Sequence, residues 1–252
     1  MALFIATANL ARADFVLFHD KFEGTNLNQW IGKVGEPHHG VLVADPHNPA
    51  NQVLSFSGVN FAGDLFNAIP LNVSRSRQYV LSFDFLGLPE ASNPGLETGG
   101  FLGIANAADP LIQQTWVCGT YAPAVTAPVP IATTLVANGQ WHHYEIDITA
   151  LIDANDLSAI VLMLEDWGGL GSVPGDVFFD NISVVGLYDI MPILAQVPCE
   201  GPAPGKKWKN HGAYVSAVSK VVQTYLVANI IAPEEADQIM SLAGSSDCGK
   251  TK

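Results

Sequence analysis

Basic residues are scarce in this chain. Eleven lysines and arginines stand against 24 aspartates and glutamates in 252 residues, a formal net charge of −13 at pH 7. So acidic a protein repels phosphate backbones, which argues against a nucleic-acid partner. No apolar run reaches the ~20 residues of a membrane-spanning helix. No Gly-x-Gly-x-x-Gly opens a helix, no strand–helix–strand rhythm of about 30 residues occurs, and His-Glu-x-x-His is missing, so dinucleotide and zincin chemistry have no foothold. There is no Ser-His-Asp elbow, no phosphate-cradling loop and no internal repeat. His38-His39 and His142-His143 are adjacent pairs, and neighbours on a strand point to opposite faces, so neither pair chelates as a unit there. Cysteine is also sparse, at three. An odd count means one pair plus a free thiol, or no pair. Cys199 and Cys248 bracket the C-terminal segment and are the expected pair, closing a loop worth about 4 kcal/mol in the chain-entropy model. Cys118 reads as a buried small hydrophobe.

What is abundant is apolar residues and turn formers. Hydrophobic residues make up 48% of the chain and charged ones only 14%, with 23 glycines and 16 prolines. That composition fits many short strands. Alternation or dense β-branched and aromatic content marks strands at 14–19, 41–43, 52–56, 78–86, 99–104, 141–148 and 159–166, and a last one after the glycine-rich loop 168–175. The cluster Asp45-Pro46-His47-Asn48-Pro49 is a turn. The fold class expected is mainly β: a two-sheet antiparallel β-sandwich of jelly-roll type over 14–187. From 188 to 206, Pro and Gly are dense enough to block helix and sheet, and a linker is expected. Over 207–252 the period changes. Tyr214, Val218, Val221, Val222, Tyr225 and Leu226 fall on one helical face. Pro233 opens a second helix, with Glu234, Glu235 and Asp237 near its positive end and Ile239, Met240, Leu242 and Ala243 on its apolar side. This predicts a small α-hairpin stapled by Cys199–Cys248. At the other end, residues 1–13 read as the remnant of a signal peptide, apolar up to Leu10 and closing on Ala11-Arg12-Ala13. A secreted or cell-surface protein is expected.

The last strand holds the most informative residue. In Val177-Phe178-Phe179-Asp180-Asn181-Ile182-Ser183-Val184, strict alternation sets Asp180 on one face with Phe178, Ile182 and Val184. A carboxylate there is costly unless it is paired, hydrogen-bonded or bound to a metal. This strand resembles the terminal strand of jelly-roll carbohydrate-binding modules and their galactose-binding-like relatives. Asp20-Lys21-Phe22-Glu23-Gly24, followed by Trp30, resembles the opening of the same group, although His19, Asp20 and Lys21 depart from its pattern. The resemblance implies that the first and last strands are neighbours and that Glu23 and Asp180 share a structural Ca²⁺, with Asp20 a further ligand candidate. It also implies a buried Trp30. The C-terminal stretch has its own resemblance. Cys199, Gly201, Pro202, Trp208-Lys209-Asn210-His211-Gly212, Tyr214-Val215-Ser216 and Ser246-Asp247-Cys248-Gly249-Lys250 are similar to a module carried by assorted exported bacterial proteins. That module implies no activity, and Ala217 stands where its relatives often carry another Cys.

Sugars present C–H faces that stack on aromatic rings and hydroxyls that bind to amides and carboxylates. Trp116, with Gln114 before it and Tyr121 after it, and Trp167 beside Glu165 are the candidate ligand-binding residues. Trp141 is expected in the core. Paired carboxylates for glycoside hydrolysis are weaker: Glu145 and Asp147 share a strand face, and Glu90, Glu97, Glu165 and Asp166 complete the candidates. The expected function is exported, non-catalytic binding of a polysaccharide or cell-surface glycan. The alternatives are a glycoside hydrolase or polysaccharide lyase on a β-sandwich, and a surface or matrix structural protein that binds no sugar.

Overall fold

The computed structural model describes residues 12–33, 36–60, 62–74, 77–89, 99–120, 132–167, 173–228, 230–231 and 233–250. The chain forms two compact units. The first, Val16–Val185, is a β-sandwich. Its first sheet carries β11 (His142–Asp147), β7 (Gln78–Gly87), β13 (Val177–Asp189), β4 (Gln52–Phe56) and β3 (Gly40–Ala44) in that order, with β1 (Arg12–Asp20) also paired to β13. The second sheet runs β10 (Thr133–Thr134), β9 (Gln114–Gly119), β8 (Gly100–Asn106), β12 (Ala159–Asp166), β5 (Leu65–Asn67) and β2 (Trp30–Gly32), with β6 (Leu71–Asn72) also on β12. The pairings of β12 with β8, of β3 with β4 and of β8 with β9 are antiparallel, and that of β10 with β9 is parallel. The first and last strands are neighbours, as expected. β1 already includes Arg12 and Ala13, two residues assigned to the leader; the remainder of that segment lies outside the described residues.

The core between the sheets is aromatic and aliphatic. Leu54, Phe56, Leu81, Phe83, Phe85 and Phe179 from the first sheet meet Leu102, Ile104, Val117, Cys118, Leu162 and Leu164 from the second. Trp30 belongs to this core, stacked near Phe22 and edge-on to Phe18. Cys118 is fully buried and free, and burial pushes its thiol well above the usual range. Trp141 departs from expectation. It covers a separate cluster of Val53, Leu86 and Phe178 on the outer face of the first sheet and donates its indole N–H to Asp45.

The last strand breaks its own period. Val177 and Phe179 enter the core, and so do Ile182 and Val184. Asn181, between them, takes φ 50°, the left-handed region that asparagine tolerates. The phase shifts there, so Asp180 shares the outer face with Phe178 but not with Ile182 or Val184.

The second unit includes Gly186–Lys252. The expected linker 188–206 is not bare: it holds α2 (Met191–Leu194) and contributes Ile193 and Val197 to a core that also contains Ile190. Pro192 sits in the first turn of α2, where its missing N–H costs nothing. α3 (His211–Val227) buries Tyr214, Val218 and Val222, and α4 (Pro233–Ser245) buries Ile239 and Ala243 against the same core. Leu242, assigned to the apolar side of α4, is exposed. Asn210 caps α3 by accepting the Ala213 N–H at 2.9 Å. The Cys199–Cys248 disulfide is present. The motif residues do structural work: Trp208 donates to the Pro198 carbonyl, and the His211 ring nitrogens face the carbonyls of Cys248 and Gly244.

Candidate glycan-binding face

Strand register places the candidate residues in rows across the outer face of the second sheet. Ile31 stands opposite Phe66, Phe66 opposite Met163, Met163 opposite Gly103, and Gly103 opposite Trp116. One row above, Glu165 stands opposite Phe101 and Phe101 opposite Gly119. One row below, Val161 pairs with Ala105 and Ala105 with Gln114. Phe66, Ala105, Val161 and Met163 form an apolar cluster here, partly covered by Trp116 and Ala107. It is distinct from the core on the opposite side of the same strands.

Phe101 organises the aromatic part. Its ring lies 5.9 Å from that of Trp116 and 5.9 Å from that of Trp167, edge-on to both. Edge-to-face pairs at this separation are favourable beyond the area they bury. Phe101 itself is buried, while both tryptophans are half-buried. The ring fits because Gly119 opposite has no side chain: a Cβ there would lie 2.2 Å from Phe101 Cε1. Gly103 is equally necessary, since its Cβ would meet Met163 Cε at 2.6 Å and the Thr115 carbonyl at 2.5 Å.

A β-bulge sets Trp116 on this face. Leu102 pairs with Cys118 but Gly103 pairs with Trp116, so Val117 is the extra residue. Val117 and Cys118 therefore both enter the core, and Trp116 turns outward. This is why alternation did not reveal β9 in the sequence.

Glu165 is 2% exposed, beneath the rings rather than beside a ligand. Its Oε2 accepts the Gly63 N–H at 2.7 Å. Burial raises its pKa to about 8; Asp64 and Asp166 push in the same direction, while the Gly63 hydrogen bond and Lys33 oppose them. Burial thus favours its protonated form. Asp64, fully buried, accepts from the His39 N–H and from Asn60 and lies 3.1 Å from His39 Nδ1. Asp166 accepts the Gly175 N–H at 3.1 Å. Glu165 and Asp166 thus fasten the segments around 60–64 and 173–176 to the end of β12, while Asp64 ties His39 to the first of these segments.

Gln114 is also internally engaged. Its amide donates to the carbonyls of Ala62 and Pro110. The sequence nominations thus divide. Trp116 and Trp167 supply the half-exposed rings, Glu165 and Gln114 hold loops, and Tyr121 lies outside the described residues. Phe101, Gly103 and Gly119 were not nominated. Their signal was two glycines and an aromatic inside strand patterns, where glycine marks close approach.

The calcium candidates lie near the first sheet. Asp180 is buried, and its two oxygens accept from Asn51 Nδ2 at 3.0 Å and from the Asn181 N–H at 2.7 Å. Burial raises its pKa, and the charges of Asp84 and Glu23 add to that. Glu23 is exposed. Asp20 turns elsewhere: one oxygen accepts the Phe22 N–H and the other the Trp30 indole N–H, each at 2.8 Å. Among the described residues, no group of three or more His, Cys, Asp or Glu could hold a metal ion. None of their helices is long and apolar enough to cross a membrane. Of the hydrolase candidates, Glu145 and Asp147 stand on the outer face of the first sheet, and Glu90 and Glu97 lie outside the described residues.

No family model matches the chain, and no curated protein does. Solved structures do. The CBM22-1 xylan-binding domain of Paenibacillus barcinonensis Xyn10C is 13% identical, aligning 71% of this chain with 98% of its own at a TM-score of 0.41. The CBM22-2 domain of the same protein is 16% identical over 67% of this chain and 98% of its own, TM-score 0.42. A carbohydrate-binding module of Cellvibrio mixtus lichenase 5A, solved with cellotriose, is 12% identical over 68% and 97%, TM-score 0.32. Two of these are xylan-binding domains and the third is a carbohydrate-binding module.

Proposed function

We propose that this chain is an exported, non-catalytic carbohydrate-binding protein that holds a polysaccharide or cell-surface glycan on the outer face of its second sheet. One observation carries the reading: Trp116 and Trp167 stand half-exposed on either side of a buried Phe101, fixed by the strands beneath them. Rigid rings with one wet side offer a sugar's C–H face a large contact at little entropic cost. Retardation of the protein in gels cast with a panel of soluble polysaccharides tests this. Retardation by at least one polysaccharide is expected, with a loss of tenfold or more in affinity in Trp116→Ala and in Trp167→Ala. No retardation on any gel overturns it.

A structural Ca²⁺ belongs to the same proposal. Glu23 and Asp180 would hold it, with Asp20 the weaker candidate because its oxygens accept from the Phe22 N–H and the Trp30 indole. The supporting feature is a buried carboxyl whose acidic neighbours disfavour its charged form, an arrangement that a cation relieves. Backbone carbonyls would complete the six to eight oxygens that Ca²⁺ takes. A higher melting temperature in Ca²⁺ than in EDTA, lost in Asp180→Asn, is expected; identical melts in both argue against the ion.

Glu165 also supports a second reading. Its raised pKa beside the carboxyls of Asp64 and Asp166 is the feature that it shares with glycoside hydrolases, although all three are buried and a sugar would reach them only with the neighbouring loops opened. Release of reducing sugar from the retarding polysaccharide, abolished in Glu165→Gln, would establish that reading over simple binding.

A further inference from the structure

At the far end of the same face from Trp116 lies a pocket that the glycan reading does not use. Ile31, Phe66, Ala68, Pro70, Leu111 and Val161 line a cavity of ≈ 140 Å³. Its floor is the sheet, since Ile31 and Phe66 are register partners on β2 and β5 and Val161 is on β12. Its walls are the turns after β5 and after β8. Of its polar lining, the Asn67 side chain is already engaged, donating to the Ile69 carbonyl and accepting the Leu162 N–H. The lining carries no charged side chain.

The rim shows a second feature. Ile31 is 50% exposed and Leu111 is 41% exposed, and from the same two turns Ile69 and Ile112 project at 78% and 79%. Large aliphatic side chains gathered at one mouth leave apolar surface in water, which is favourable to cover.

We propose that this pocket is a binding site for a single uncharged aromatic ring, such as an aryl group borne by a larger ligand. Size decides the class. An apolar cavity of about 150 Å³ lined by Leu, Ile and Phe stays dry and accepts benzene. A pocket of ≈ 140 Å³ is thus filled by one six-membered ring. Chemistry decides the rest: the lining has no charged side chain and its Asn67 amide is already engaged, so a polar or charged group pushed inside gives up water for few partners and is penalised. The remainder of its carrier would lie on the exposed rim that Ile31 and Leu111 share.

The test uses toluene alone, so it stands apart from any glycan. Methyl resonances of Ile31, Leu111 and Val161 should show saturable ring-current shifts, while the Trp116 indole signal stays put. Ala107→Leu, which fills the pocket from its wall, should weaken toluene binding at least tenfold with the amide spectrum otherwise native. Should that variant misfold, Leu111→Ala opens the same wall and should weaken binding by a similar factor. Phenol should bind at least tenfold more weakly than toluene. Shifts that never saturate, or that persist in both variants, overturn the proposal. So does a dimer in sedimentation that dissociates in Ile112→Ser, since a second copy would then be the occupant of the rim.

Discussion

The two sheets present opposite chemistries on their outer faces, although both are built from the same alternation. On the first sheet the polar groups are used up on one another. His143 lies 2.7 Å from Asp84 and 3.7 Å from Glu145, Asn181 donates to Asp84 at 2.7 Å, and Asn51 donates to Asp180 at 3.0 Å. The apolar part of that face is closed by Trp141. On the second sheet the outer face is mostly carbon: Phe66, Phe101, Met163 and two half-covered tryptophans, with one buried acid beside Phe101 whose pKa is raised. A hydrogen-bonded network within the protein offers a ligand only an exchange of partners. Exposed ring faces over a rigid floor offer a net gain, because their burial costs no polar desolvation.

The sharpest way to separate the two faces is pH, and the largest effect falls on the second. The Glu165 pKa is raised to about 8, chiefly by burial. A raised carboxyl pKa means the folded state binds the proton more tightly than the unfolded chain does. Stability is then complete below the unfolded value near 4.3 and is lost as pH rises toward 8, by an amount on the order of a few kcal/mol. Glu165→Gln should flatten that slope and be the more stable protein at pH 9 by urea denaturation, while keeping the acceptor for Gly63. Equal slopes in both proteins would show that Glu165 is not the buried acid. The first sheet responds in the other direction. Burial would raise the Asp147 pKa, but hydrogen bonds from Thr149 and Gln78 outweigh it and hold the group below its usual value. The stability it contributes is present above the unfolded carboxylate range and is lost as pH falls through the lowered pKa.

Packing gives the next effect. Gly119→Ala drives a Cβ into the Phe101 ring, with contacts of 2.2 to 3.0 Å to three ring carbons. Overpacking of this kind costs about 1–3 kcal/mol. The displaced ring lies between Trp116 and Trp167, so glycan retardation should weaken in step with stability. The corresponding substitution on the first sheet, Ser82→Ala, should change neither. A stable Gly119→Ala that still binds would mean that Phe101 does not position the tryptophans.

Much of this fold could be read from the residues. The strands at 52–56 and 159–166 and the helical face of Tyr214, Val218 and Val222 follow directly from period and propensity. What escaped was set by departures from period. The bulge at Val117 hid β9, and left-handed Asn181 reversed the face of everything after it in β13. Both departures lie beside candidate sites, and a bulge is the means by which a strand re-aims a side chain. The short strands β2, β5 and β6 are set by their neighbours rather than by local pattern, so two- and three-residue segments gave no signal. For the candidate site, composition marked Trp116 and Trp167 but could not show that Glu165 and Gln114 are engaged by loops over that face. That depends on loops closing over β12, a contact made across about a hundred residues of chain, between Gly63 and Glu165.

The smallest expected effect tests whether the first face is inert. The hydrogen bond to Asp84 raises the His143 pKa; partial burial opposes this, and the charges of Asp84 and Glu145 support it. The stabilisation is therefore full below the unfolded histidine value near 6.5 and is lost as pH rises through the higher folded value. The ring is 54% exposed, so solvent screens the pair, and exposed pairs of this kind contribute under about 1 kcal/mol. His143→Ala should lower stability slightly at pH 5.5, leave it unchanged at pH 8.5, and leave retardation by the polysaccharide untouched at both. If retardation were lost instead, the sugar would lie on the polar face of the first sheet. The aromatic row on the second would then be a surface for something else.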